Sequence, residues 1–226
     1  MVTALVLAAG RSTRMGGGAN KQFIELLGKP LLYYSLAAFE ACAAVEAVIL
    51  VRRPEETAQA EGVVQEYGFR KVVRFADGGV ERQNSVWNGL AQCDPATEIV
   101  AAHDGARPLI TTELIEATVQ SARRYGTGIA ATKVVDTIKE ADEQRRVLRT
   151  VDRTRLWAMQ TPQTVRFELL RRAYAKVLET HQLVTDEAAA VELLGEPVQL
   201  VNTPFLNLKI TTPADLMVAE ALLRTR

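Results

Sequence analysis

The sequence predicts an α/β fold: a mostly parallel sheet layered with helices, carrying a projecting β-arm. Three observations predict it. Short apolar runs alternate with segments of helical spacing over the first 135 residues, and such alternation calls for crossover connections and parallel pairing. The pattern then breaks at "VVDTIKEADEQRRVLRTVDRTRLW", where polar β-prone pieces flank a turn-rich stretch. Helical patterns return after it and run to the end of the chain.

Taken in order, "TALVLAAG" is short, apolar and closed by small residues, which predicts a buried strand. "KPLLYYSLAAFEAC" has apolar residues at helical spacing and predicts a helix with Pro30 in its first turn. "VEAVILVRR" is a second strand. Pro54 opens "PEETAQAEGVVQEYG", a polar-faced helix whose acids crowd the first turn, where the helix dipole favours them. "KVVRFA" is a third strand, "ERQNSVWNGLAQC" a third helix and "TEIVAAHD" a fourth strand. A helix from Thr112 to Tyr125 and a strand at "TGIAATKVV" follow. Beyond the arm, helices are expected near Arg166–Glu179, Thr185–Leu194 and Thr212–Arg224. "TPAD" at the start of the last one has the form of a capping box with proline at the first helical position.

The chain has 226 residues, and with no repeat, low-complexity tract or linker it reads as one domain. Lys+Arg and Asp+Glu both total 27, which speaks against a nucleic-acid binder or a membrane-surface binder. Cys42 and Cys93 match no metal-ligand spacing and sit in apolar stretches, as structural thiols do. No apolar run reaches the roughly 20 residues of a membrane helix, and strand-like sequence from Val2 leaves no room for a targeting peptide. The expectation is a soluble protein of a reducing cytoplasm. The arm holds too few apolar residues to bury itself, so it is either mobile or packed on another subunit.

Ligands of such sheets sit beyond the carboxyl ends of the strands. The loop "GRSTRMGGGANK" after the first strand and "HDGARP" after the fourth both emerge there, so the two are expected to face one site. The loop is not a P-loop, because Lys21 stands between Asn20 and Gln22 rather than between Gly and Ser or Thr. Nor is it a dinucleotide fingerprint, because Ser12 occupies the position of the second glycine. Two readings remain: a plain surface loop, or a triphosphate cradle. In the cradle, close-approaching backbone amides form an anion nest while Arg14 and Lys21 add full charge. Fixed cations there stabilise the charge that develops as pyrophosphate leaves. Asp104, at a strand end near such phosphates, suits Mg²⁺, which takes one or two carboxylates together with phosphate oxygens. His103 is expected to pack or hydrogen-bond instead of binding metal.

Read together, "LAAGRSTRM…KQF", "DGGVERQNSV", "HDGARP", "VVDTIK", "TVDRTRLWAMQTPQ", "TDEAA" and "NLKIT" occur in this order. The chain resembles the 2-C-methyl-D-erythritol 4-phosphate cytidylyltransferase family over nearly its whole length. The first motif alone marks only the wider nucleotidyltransferase superfamily; the "VDRTRLWAMQTPQ" motif is far more specific. The resemblance implies a Rossmann-like three-layer nucleotidyltransferase fold and a reaction of CTP with methylerythritol phosphate in non-mevalonate isoprenoid synthesis, with Mg²⁺. It implies Arg14 and Lys21 as the transition-state pair and Asp104 as metal ligand. The base and nucleotide would be held by Ala8, Ala9, Gly10, Gly79, Ser85, Asp104 and Gly105. The second substrate would meet Arg107, Thr137, Arg153, Thr185 and Lys209, with Arg153 and Lys209 holding the attacking phosphate in line. In the family, the arm, here at about residues 134–156, reaches into the other subunit's site, which implies a homodimer.

Plainer roles stand beside these: Ser85 as a helix-start residue, Thr185 as a helix N-cap, Arg107 as a support for its loop. The sequence departs from the family's frequent residues at Leu7 and Asn20 (often Pro), Val80 (often Asp) and Gly105 (often Ala). The rival expectations are a ribitol 5-phosphate cytidylyltransferase and a non-catalytic nucleotide sensor on the same fold.

Overall fold

The computed structural model describes residues 1–10 and 20–225. Its main sheet has seven strands: β1 (Val2–Leu7), β4 (Ala47–Arg52), β5 (Val72–Asp77), β6 (Ile99–Asp104), β7 (Thr127–Lys133), β10 (Trp157–Arg166) and β11 (Leu200–Asn202). The spatial order is β11-β7-β10-β6-β1-β4-β5. β1 lies at the middle of its parallel part, paired with β4 on one side and β6 on the other. All six of its residues are buried, the apolar run expected of a strand covered on both faces.

Alternation along β1 sorts the core into two layers. Ala4 and Val6 face α1 (Leu31–Ala41), α2 (Thr57–Glu66) and α4 (Thr112–Tyr125), through Leu32, Leu36, Phe39, Ala60, Ile115 and Val119. Leu5 and Leu7 face the opposite layer of α3 (Arg82–Leu90), α5 (Phe167–Thr180) and α6 (Glu187–Glu192), through Val86, Leu90, Leu170, Tyr174 and Val191. The α/β reading and its mostly parallel sheet hold.

Local signals place most element ends. Gly126 closes α4 in the left-handed conformation (φ 87°), which glycine adopts without penalty. α7 (Pro213–Leu223) opens with the expected capping box between Thr212 and Asp215. Four expectations need correction. Pro30 is the N-cap of α1, paired in the short β2–β3 hairpin (Glu25–Leu26 and Lys29–Pro30), and lies outside the first turn. Pro54 opens a 3-10 turn, Pro54–Glu56, before α2 begins. The helix expected from Thr185 spans Glu187–Glu192, and its N-cap is Asp186, which accepts from the Ala189 amide, so Thr185 is not the cap. Of the two cysteines, Cys42 is buried while Cys93 is only partly so.

β10 is the strand the sequence pattern hides. It runs antiparallel to both β6 and β7, because the chain leaves β7, makes the excursion β8 (Ile138–Ala141) and β9 (Val147–Val151), and returns beside it. Trp157 pairs with Lys133 at the base of this arm. The arm forms its own two-stranded sheet and is largely exposed, including Val147 and Leu148.

One close approach ties α4 to this region. A Cβ at Gly128 would lie 2.2 Å from the Thr118 carbonyl oxygen and 2.8 Å from Ser121 Cβ. Gly128→Ala should therefore destabilise the protein by about 1–3 kcal/mol, as overpacking does, measured by denaturant unfolding.

Candidate active site

The parallel strands β1, β4, β5 and β6 all present their carboxyl ends to one cleft of about 630 Å³. Its wall is backbone-lined on one side: a Cβ on Gly78 would sit 2.2 Å from Ala9 Cβ, and one on Gly79 2.2 Å from Asn84 Cβ. Only glycine lets the 78–79 turn close onto the segment after β1 and onto α3 in this way. Among the described residues, the cations Lys21, Arg53, Arg82 and Lys209 line the cleft, together with Glu55, Glu81 and Asp104.

Asp104 is the last residue of β6 and only 8% exposed. Its Oδ2 accepts from Lys209 Nζ at 2.7 Å and its Oδ1 from Arg82 Nε at 3.2 Å. Burial by itself would raise its pKa, but the positive charges of Arg82 and then Lys209 outweigh it and hold the carboxyl far below the ordinary carboxylate range. Arg82, the first residue of α3, also forks onto Glu187 at 2.8 and 3.0 Å. Glu187 is completely buried and takes a third bond from the Tyr174 hydroxyl at 3.1 Å. Burial opposes the charge on Arg82, and Glu187 and Asp104 overcome it, so its pKa is raised. This is a bidentate, charge-assisted arrangement in which each buried ion is paired, as burial demands.

Lys209 is aimed from below. The Asn207 carbonyl accepts from Arg107 Nη1 at 2.6 Å, Asn207 Nδ2 donates to the Thr161 carbonyl at 2.8 Å, and the Ile210 amide donates to Ala106 at 2.8 Å. Lys21 Nζ donates to the Ile210 carbonyl at 2.7 Å. The loop after β1 and the Lys209 segment therefore meet across the cleft.

The structure brings Ala9, Gly10, Lys21, Gly79, Ser85, Asp104 and Lys209 together at the cleft. Ser85 is neither a cap nor free: its hydroxyl accepts from the Gly79 amide at 3.0 Å and donates to the Glu81 carbonyl at 3.3 Å, while Glu81 is the N-cap. Its hydroxyl shapes the glycine turn. Ala8 and Gly105 are not in the cleft wall; Ala8 is buried and the Gly105 amide is spent on the Leu7 carbonyl. Arg107 also lies outside it and supports the Asn207 segment, burial lowering its pKa. Thr137, Arg153 and Thr185 are exposed and do not line this chain's own cleft; the Arg153 guanidinium binds the Val135 carbonyl within the arm. Arg14 lies outside the described residues.

Sequence reasoning missed Arg82 and Glu187. Arg82 stood inside "DGGVERQNSV", and its place at the start of a helix facing the site was the available signal. Glu187 looked like a first-turn helix acid, and nothing local distinguishes it from one.

His103 is completely buried, as expected of a packing residue. The Thr161 hydroxyl accepts from the Asp104 amide at 3.1 Å and contacts His103 Nδ1 at 3.0 Å. His103 Nε2 lies 3.4 Å from Ser35 Oγ. Burial drives the pKa of His103 down to about 3.

The comparisons with known proteins agree with this architecture. The family model of 2-C-methyl-D-erythritol 4-phosphate cytidylyltransferase matches residues 2–225. The chain belongs to this family. A member from Caldanaerobacter subterraneus subsp. tengcongensis is 46% identical over 224 residues, covering 99% of both chains. One from Pelotomaculum thermopropionicum is 46% identical over 226 residues, covering 100% of this chain and 95% of the relative. Among solved structures, the 4-diphosphocytidyl-2C-methyl-D-erythritol synthase of Anaerococcus prevotii superposes with a TM-score of 0.87 at 30% identity, covering 99% of this chain and 98% of that one. The Thermus thermophilus member gives 0.80 at 31% identity, covering 97% and 98%. The Rossmann-like three-layer nucleotidyltransferase fold implied by the sequence is thus the fold of the family.

The buried neutral His103 has a consequence for stability. The unfolded side chain titrates near 6.5 and the folded one at about 3, so the unfolded state binds the extra proton. The contribution is complete above about pH 6.5 and is lost as pH falls toward 3. Between pH 6.5 and 5 the protein should lose about 1–2 kcal/mol more than a His103→Gln variant, at up to about 1.4 kcal/mol per pH unit. Denaturant unfolding across that range checks it; parallel curves would exclude it.

Proposed function

We propose that the chain transfers the cytidylyl group of CTP to 2-C-methyl-D-erythritol 4-phosphate, giving 4-(cytidine 5'-diphospho)-2-C-methyl-D-erythritol and pyrophosphate. The observation that carries this reading is the convergence of Lys21, Lys209, Arg82 and Asp104 in one cleft beyond the strand ends of a family member. An oxygen of the substrate phosphate attacks the α-phosphorus of CTP, and the bond to the β-phosphate oxygen breaks. The attacking phosphate is already ionised, so no side chain has to remove a proton. In keeping with that, no histidine or cysteine is among the described residues of the cleft wall.

What remains for the protein is positioning and charge. Lys21, with Arg14, meets the charge that grows on the leaving pyrophosphate, and Lys209 takes hold of the attacking phosphate. Ala9, Gly10, Gly79 and the turn held by Ser85 wall the base pocket, with Ala8 and Gly105 supplying backbone behind it. For Mg²⁺, the donor set fits a nucleotide-borne ion: Asp104 is a fully ionised carboxylate in the cleft, and no cluster of three His, Cys, Asp or Glu is found among the described residues. One carboxylate plus phosphate oxygens is an ordinary Mg²⁺ set. When bound, the ion would neutralise phosphate charge, with Asp104 holding it.

The same reading makes residues 1–226 one nucleotidyltransferase domain of a cytoplasmic homodimer. The arm at about 134–156 carries Thr137 and Arg153 to the partner's cleft for the second substrate, and Arg107 serves that substrate indirectly, by supporting the Asn207 segment that carries Lys209. Exposure of both arm residues away from their own cleft supports it.

Two experiments test the proposal. Pyrophosphate release with CTP and Mg²⁺ should show strong preference for methylerythritol 4-phosphate over ribitol 5-phosphate; the reverse preference would move the protein to polyol activation for another product, and silence with both would favour a nucleotide sensor. For the shared site, Lys21→Ala and Arg153→Ala subunits, each with turnover lowered by orders of magnitude alone, should regain roughly a quarter of wild-type turnover when mixed one to one, since half the dimers then hold one intact site of two. Mixed dimers without activity would reject arm exchange.

A further inference from the structure

Ala8, Ala9 and Gly10 lead into residues 11–19, and Asn20 and Lys21 follow them. Both sides of that segment are tied to one small device in the connection between β4 and α2. Asn20, 4% exposed, uses its whole carboxamide: Oδ1 accepts from the Gln22 amide at 3.1 Å, and Nδ2 donates to the Ala8 carbonyl at 2.9 Å and to Glu56 Oε2 at 2.6 Å. Glu56, 7% exposed, holds Arg53 Nη1 at 3.4 Å with its other oxygen. Arg53 donates from Nε to the Ala9 carbonyl at 3.4 Å and from Nη2 to the Gly10 carbonyl at 3.1 Å.

Local sequence builds the device. Pro54 sits at the start of the 3-10 turn, and the Glu56 amide closes it onto the Arg53 carbonyl at 3.0 Å. Side chains three residues apart in such a turn eclipse one another, so Arg53 and Glu56 share a side. A nearly buried carboxylate needs paired partners, and here they are Arg53, which lines the cleft, and Asn20, the neighbour of the cleft residue Lys21. Lys21 rides on the three-residue turn Lys21–Phe23 that Asn20 caps. The position of its ammonium relative to β1 and to the Lys209 segment therefore depends on the Asn20 ties.

We propose that Asn20, Arg53 and Glu56 are positioning residues that pin both sides of the loop after β1 and so hold Lys21 ready for the nucleotide phosphates. The inference rests on the reading of Lys21 as the cation of the leaving pyrophosphate. None of the three needs to touch substrate; they act through Lys21.

The test measures kcat and both KM values, with melting temperatures, for Glu56→Gln, Asn20→Ala, Asn20→Pro, Lys21→Ala and the double variant Lys21→Ala with Glu56→Gln. Glu56→Gln and Asn20→Ala should each lower kcat by about tenfold to a hundredfold, the effect of misplacing a catalytic group by an ångström, with the KM for methylerythritol phosphate little changed. Asn20 has φ −69°, which proline also adopts, so Asn20→Pro should recover part of what Asn20→Ala loses. In the Lys21→Ala background, Glu56→Gln should cost little more, because groups acting through one another are not additive. Multiplicative losses in the double variant would overturn the proposal. So would wild-type kcat in both single variants with only a lower melting temperature. The two variants lie on separate elements, so a folding failure in one leaves the other to decide. Near-wild-type turnover in Lys21→Ala would remove the catalytic reading of Lys21 and the clamp with it, whereas an inactive Lys21→Ala beside an unaffected Glu56→Gln would remove the clamp alone.

Discussion

The cleft depends on keeping one carboxylate ionised in a place where water scarcely reaches it. Asp104 ends a central strand and is 8% exposed, a setting that on its own would favour the neutral acid. Arg82 and Lys209 reverse that preference. Arg82 in turn is immobilised by a bidentate bond to the fully buried Glu187, which Tyr174 also holds. A helix before the sheet's fourth central strand, a helix after the arm and the last loop of the chain are thereby bound to one charge.

The two cations on Asp104 are not equivalent. Arg82 has three anionic oxygens around it and is confined on two sides. Lys209 has one, and its side chain is 38% exposed. An incoming phosphate can compete for Lys209 at the cost of one ion pair, while Asp104 keeps its charge and orientation through Arg82. The ammonium of Lys21 contacts the same segment at the Ile210 carbonyl. Backbone packing completes the arrangement: Gly78 closes onto Ala9 and Gly79 onto Asn84 so tightly that neither position has room for a side chain.

Much of this was legible in the sequence. Apolar runs, Gly and Pro punctuation and capping residues marked nearly every helix and the strands β1, β4, β5, β6 and β7, because those signals are local, whereas the three-residue β11 went unmarked. The order of the motifs carried the family, and Lys209 followed only from that resemblance; Lys21 and Asp104 were legible as charges in a loop and at a strand end. β10 was not, because "WAMQTPQTVR" contains glutamines, threonines and a proline, and it is a strand only through its pairing with β6 and β7 on either side. Thr185 looked like a cap because it precedes two acids; Asp186 takes the role since its carboxylate lies one residue nearer the first turn.

By itself, the sequence determined the α/β class, the placement of the cleft at the carboxyl ends of parallel strands, and the residue types that gather there. Periodicity, turn chemistry and motif order depend only on neighbours along the chain. Tertiary structure alone decided which charges pair. Glu187 lies 105 residues from Arg82, and Lys209 lies 105 residues from Asp104. A buried ion pair is selected by desolvation and distance in the folded state, and neither quantity is written in local sequence.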